Sequence, residues 1–222
     1  VTRMPTASLL RCAVLAAGLA LTGPALAHPH VWIVAKAEIV YDGGRVVGVR
    51  HDWTFDAAYT ATLTLGLDTD GDGRLSPEEL QGLADENARG VAEFGYFTKL
   101  KVAGKEQAFV APREPRMEMA GNQARLSFLL PLKAPPAQGR GVVALEISDP
   151  TNFVSFGLAE GPDAVGLKDA PAGCAVTISR PKTTEAKTAE AGKSMTEAMF
   201  EALTAAANFG VQYANRALVA CP

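Results

Sequence analysis

Residues 31–55 read VWIVAKAEIVYDGGRVVGVRHDWTF, and the fold class follows from them. Val31, Ile33, Ala35, Ala37 and Ile39 are apolar while Lys36 and Glu38 are polar, a period of two that predicts a half-buried strand over 30–40. Asp42-Gly43-Gly44 is a turn signal, and Arg45–Phe55 completes a β-hairpin around it. A turn centred there makes residue numbers across the hairpin sum to 85 or 87, which sets His51 opposite Val34 or Lys36. On that register His30 and His51 share a face but stand four to six residues apart, roughly 13–20 Å at ~3.3 Å per residue, too far for one ion. Trp32, Trp53 and Phe55 read as packing residues of that same face, and His51 beside Asp52 as an exposed or locally hydrogen-bonded histidine.

Downstream, residues 56–66 are rich in Ala, Leu and Thr and predict a short helix. A second helix is predicted over 77–94, with Ser76 as cap, Pro77 in the first position and Glu79 completing a capping box. Gly, Pro and polar clusters then separate apolar runs at 96–102, 107–110, 124–132, 141–148, 152–158 and 175–179, all predicted strands. Residues 180–193 read as an exposed linker. Beyond it Met195, Met199, Leu203, Ala206, Ala207, Phe209 and Tyr213 lie near helical spacing, and an amphipathic C-terminal helix over 194–220 is expected to pack on the sheet. The expected fold class is α+β: a single antiparallel β-rich domain over 28–222, with an EF-hand-like helical insertion at 57–95 and a C-terminal helix.

Residues 1–27 read as a secretory signal peptide. Arg3 and Arg11 supply positive charge, 12–22 form the apolar stretch, and Ala25-Leu26-Ala27 precede the expected cut before His28. That stretch is about half of the ~20 residues that span a bilayer, so a membrane helix is not expected. Arg11 immediately before Cys12 speaks against a lipoprotein. The expected mature chain of 195 residues carries a formal charge of -5 rather than -3, because the leader holds two basic and no acidic residues. Mild acidity without Lys/Arg clusters argues against nucleic acid as partner. An exported, periplasmic chain retaining only Cys174 and Cys221 is expected to join them in a disulfide, which an oxidising compartment favours over a pair of metal thiolates.

The chemistry concentrates at two places. Residues 68–79, DTDGDGRLSPEE, place oxygen donors at the first, third, fifth, ninth and twelfth positions and glycine at the sixth, which is the EF-hand pattern. A hard cation wants six to eight oxygens. Asp68, Asp70 and Asp72 would converge, Arg74 would give its carbonyl, Ser76 its hydroxyl or a water, and Glu79 both carboxylate oxygens. A solvated acidic turn explains the Asp and Gly content but not Gly73 and Glu79 at their positions together. One loop without a second points to a structural Ca2+ rather than a sensor.

The second place is the expected new N-terminus. There His28 would offer an imidazole and a free α-amine, and His30 a further imidazole, to Ni2+, Co2+, Zn2+ or Cu2+. Pro29 has no N–H, so a chelate through successive deprotonated backbone nitrogens is closed. Asp56, just past the second strand, is the nearer additional ligand, and Asp149 could join through folding. The plainer alternative is a flexible terminus.

Together, His-Pro-His-Val-Trp at 28–32, Trp53-Thr54-Phe55-Asp56, the acidic loop, Asp149-Pro150-Thr151, and Pro171-Ala172-Gly173-Cys174 with Cys221-Pro222 resemble the bacterial domain-of-unknown-function 1007 family across essentially the whole mature chain. The resemblance implies a periplasmic component of an uncharacterised ABC-type transport system. Permeases of the nickel/cobalt-efflux type encoded beside many members add a metal-transport connection. The chain is short for a two-lobed solute receptor and lacks the alternating βα pattern of one, so an accessory protein presenting an ion to an inner-membrane permease suits it better. The rivals are a copper redox enzyme built on the His28 chelate and a calcium-stabilised interaction module without a transition metal. No nucleophile–base pair supports an enzyme.

Overall fold

The computed structural model describes residues 29–136, 141–151, 153–180 and 215–221. Residues 1–27 and His28 lie outside them. The described chain is α+β. Its strands are β1 (Val31–Asp42), β2 (Arg45–Phe55), β3 (Thr98–Val102), β4 (Lys105–Glu106), β5 (Arg113–Ala120), β6 (Gln123–Pro131), β7 (Val143–Ile147), β8 (Val154–Leu158), β9 (Val165–Lys168), β10 (Ala175–Ser179) and β11 (Asn215–Ala220). Two short helices, α1 (Ala57–Leu63) and α2 (Pro77–Gly90), stand between β2 and β3.

The strands form two sheets. One runs β5-β6-β2-β1-β8, with β9 also on β1, and the other runs β10-β11-β7-β3-β4. The long strand β1 serves two parallel neighbours, β8 along Val31–Ala35 and β9 along Ala37–Val40, so the first sheet is mixed rather than wholly antiparallel. Their inner faces share one core. Trp53 and Phe128 from the first sheet pack with Phe97, Leu100, Leu145 and Val219, and Leu80, Ala84 and Ala88 of α2, lying against β5, join them.

The β1–β2 hairpin is present, but its register differs from the expected one. Along most of its length the pairs are Ile33↔Phe55, Ala35↔Trp53 and Ala37↔His51, and the register shifts between Val40 and Tyr41, where Tyr41 pairs with Val46. Val47 is thus an extra residue in β2, a β-bulge, and a one-residue slip sends every side chain to the other face. His51 therefore points into the core, fully buried, opposite Ala37 and not Val34 or Lys36. Trp32 points the other way and is 53% exposed, so it does not share a face with Trp53 and Phe55. Gly48 sits at this bulge, where a Cβ would come within 2.8 Å of the Leu130 carbonyl oxygen.

Other differences have equally local causes. Residues 215–220, expected as the end of a helix, form β11, with Asn215, Ala217 and Val219 buried in alternation. The rest of that expected helix, 194–214, lies outside the described residues. β11 lies between β10 and β7, and Cys174 and Cys221 form a disulfide just beyond the Ala175↔Ala220 pair, as their pairing in sequence led us to expect. The second helix ends earlier than expected. It gives way to a 3-10 segment, Val91–Phe97, in which Gly95 and Tyr96 adopt φ of 60° and 57°. Of 107–110, only Phe109 bridges, to Leu132. β5 and β9 were not foreseen: β5 carries Pro115 and a register break between Arg113 and Arg116, and β9 has four residues.

At the free edge of β8, the Asn215 side chain substitutes for a neighbouring strand. Its Oδ1 accepts from the Leu158 N–H at 3.1 Å and its Nδ2 donates to the Phe156 carbonyl at 2.6 Å. Both groups are buried, so without Asn215 they would be left unsatisfied. Among the described residues no helix is long and apolar enough to cross a membrane.

Candidate metal centre

The 12-residue loop 68–79, running from beyond α1 into the first turn of α2, wraps around its own acidic side chains. Asp68 Oδ1 accepts from the Gly71 N–H at 2.8 Å and its Oδ2 from the Gly73 N–H at 3.0 Å. Asp70 Oδ1 accepts from Asp72 N–H at 3.1 Å, and Asp72 Oδ1 from Arg74 N–H at 2.7 Å. Gly73, at the sixth position, has φ of 78°, a left-handed conformation that a side chain would strain. Backbone donors turned inward gather the carboxylates against their mutual repulsion.

Glu79 closes the loop and starts the helix at once. Its Oε2 accepts from the Ser76 N–H and hydroxyl, each at 2.9 Å, while the Ser76 hydroxyl oxygen accepts from the Glu79 N–H, a complete capping box. Its Oε1 reaches across the loop to the Thr69 N–H at 2.7 Å and hydroxyl at 2.8 Å. These donors, the Ser76 amide first and then the Thr69 amide and both hydroxyls, hold the Glu79 carboxyl at a pKa of about 2. Thr69 was not singled out from sequence; a hydroxyl at the second loop position is the signal that would have found it.

Asp68, Asp70 and Glu79 are brought together, with one ligand atom from each within 4.8 Å of the others. Asp72 is not in that group. The surface cluster is all carboxylate and could chelate a divalent ion, and its oxygen donors fit a hard cation rather than a borderline one.

The expected nitrogen site is assembled differently. Asp56 caps α1, its Oδ1 accepting from the Tyr59 N–H at 2.8 Å and its Oδ2 from the Trp32 N–H at 3.0 Å. Desolvation raises the Asp56 carboxyl, but the amides of Trp32 and Tyr59 outweigh it and the net shift is downward. Asp149 folds its own turn. Oδ1 accepts from the Thr151 N–H and hydroxyl, and Oδ2 from the amides of Phe153 and Val154 at 3.1 and 2.9 Å. The exposed His30 donates its backbone N–H to the Phe153 carbonyl and lays its ring 5.0 Å from that of Phe153. Among the described residues, His30, Asp56 and Asp149 do not join a three-ligand group, and His28 lies outside the described residues.

His51 is a core residue. Thr98 gives its single hydroxyl proton to the Tyr96 carbonyl at 2.7 Å, so its oxygen accepts from His51 Nε2–H at 3.2 Å. That assigns the tautomer and leaves Nδ1 as the atom that would protonate, and it has no protein partner among the described residues. Burial pushes the imidazole pKa down to about 3, which makes His51 neutral in the fold.

A protein of Haemophilus influenzae named only "Uncharacterized protein" is 23% identical over 141 residues, which are 63% of this chain and 66% of that protein. The chain thus spans slightly less than two thirds of that relative. The model of the family described as "Protein of unknown function (DUF1007)" matches residues 13–221, and the chain belongs to that family.

Proposed function

We propose that this chain is an exported metal-binding accessory protein, not an enzyme, whose loop at 68–79 holds Ca2+ as a structural brace. The observation that carries this reading is the convergence of Asp68, Asp70 and Glu79 on a 12-residue loop with a left-handed glycine at its sixth position. That convergence supports an EF-hand type of loop, in which Asp72, the Arg74 carbonyl and Ser76 would complete the oxygen shell as the ion draws them in. A bound ion would tie the end of α1 to the first turn of α2, and α2 places Leu80, Ala84 and Ala88 in the core.

The Cys174–Cys221 disulfide and the leader-like residues 1–27 support a periplasmic location. The nickel/cobalt-efflux-type permeases that the resemblance implies as neighbours support a part in metal transport, in which His28 and His30, with Asp56 close to the start of β1, would present nickel, cobalt, zinc or copper to an inner-membrane permease. Calorimetry on chain lacking residues 1–27 tests both parts. Calcium heat is expected, and Asp68→Ala with Glu79→Gln should abolish it while leaving Ni2+ uptake. His28→Ala with His30→Ala should do the reverse. Absence of calcium heat overturns the first part, and Ni2+ uptake unchanged by the histidine substitutions overturns the second.

A further inference from the structure

The outer face of the first sheet carries an apolar ridge where water should meet polar side chains. Trp32 and Val34 on β1 are 53% and 51% exposed, and Phe153, immediately before β8, is 54% exposed. They are neighbours: Trp32 pairs with Ser155 and Val34 with Gly157, and His30 links the start of β1 to Phe153. Beside the ridge β8 is low, because Ser155 is small and the space at Gly157 where a Cβ would stand is open. The result is a step between β1 and β8 that an apolar element could fill.

Residues 181–214 leave and rejoin the described fold beside this step. At the start, the Arg180 guanidinium holds the carbonyls of Ala159 and Gly161, just past β8. At the end, Asn215 is hydrogen-bonded to the edge of β8 at Phe156 and Leu158. One end is thus fastened just past the strand next to the ridge and the other to that strand itself, with 34 residues between them. Within those residues Met195, Met199, Leu203, Ala206, Phe209 and Tyr213 recur at intervals of three and four, a single apolar stripe at helical spacing. Methionine and aromatic side chains suit a shallow, irregular apolar surface. The outer face of the second sheet offers Leu218 and, immediately before β7, Val142 as large exposed apolar side chains, an aliphatic pair without the aromatic rings of Trp32 and Phe153, so the first sheet is the better match.

We propose that the stripe at 195–213 docks on the Trp32–Val34–Phe153 ridge of the same chain. The ridge is then an internal interface, and the outer face of β1 is covered by the protein's own C-terminal region.

The test uses the full mature chain with p-benzoylphenylalanine in place of Trp32. Illumination should give an intrachain cross-link to a peptide within 195–213. Cross-links to a second copy, or none, would overturn the proposal. Hydroxyl-radical footprinting of Met199→Asp with Leu203→Asp gives an independent measurement. Oxidation of Trp32 and Phe153 should rise several-fold over the parent chain while Leu218 stays constant. Unchanged oxidation at Trp32, or a rise confined to Leu218, would sink it.

Discussion

The loop at 68–79 and the pocket around His51 both gather polar groups, and they treat water in opposite ways. In the loop, carboxylates stay at the surface and backbone amides a few residues away organise them. In the pocket, one imidazole lies between two sheets and its partner is 47 residues away in sequence. The loop's geometry is local, so residue spacing writes it out. The pocket's geometry depends on which face of a strand turns inward, and a single bulge decides that. Charge is also handled differently. Glu79 is held ionised by four donors, whereas His51 is held neutral by burial.

Acid should separate the two regions most sharply. The folded pKa of His51, about 3, lies below its unfolded value near 6.5, so its contribution is complete above 6.5. As pH falls the unfolded chain takes up a proton that the fold refuses, at about 1.4 kcal/mol per pH unit, until the folded group also protonates. Urea denaturation from pH 6.5 towards 3 should therefore show a loss of several kcal/mol beyond that of His51→Leu, on the order of 4–5 in total. A variant with the same pH slope as the parent would break the contrast.

A smaller effect is expected from Thr98→Val, which removes the acceptor for His51 Nε2–H and strands a buried donor. The expected cost is about 1–3 kcal/mol in thermal or urea unfolding at neutral pH. In the loop, Ser76→Ala should cost only ~1 kcal/mol without added cation, the usual value of a helix cap. It should also lower the calcium heat, because it removes the hydroxyl oxygen that Ser76 would give to the ion's shell. Equal costs for Thr98→Val and Ser76→Ala would erase the distinction between buried and exposed polar groups.

The same distinction explains what could be seen in the sequence. The hairpin, α1, α2 with its capping box, the gathering of Asp68, Asp70 and Glu79, and the cysteine pair were legible, because each rests on short-range spacing or on there being two cysteines beyond residues 1–27. The hairpin register was not. Its visible sign was Gly48, an isolated glycine within a strand pattern, which marks a bulge. β5 was hidden by charge and by Pro115, with only Met117 buried. β11 was hidden because Ala217, four residues after Tyr213, also continues an apolar helical stripe; strand pairing with β10 and β7 settled the choice in favour of alternation. Asp56 and Asp149 were legible as carboxylates at element ends, but their service to nearby amides, as cap and as turn former, depends on backbone geometry that the residue types alone do not write out.

The disulfide gives the molecule a particular covalent topology. Cys174 precedes β10 and Cys221 follows β11, so all of 175–220 lies within one closed ring. A protease that cuts once anywhere in 181–214 would produce two polypeptides but no separate fragment, and β11 would remain threaded between β10 and β7. Only cutting and reduction together would release it, opening the second sheet along the middle.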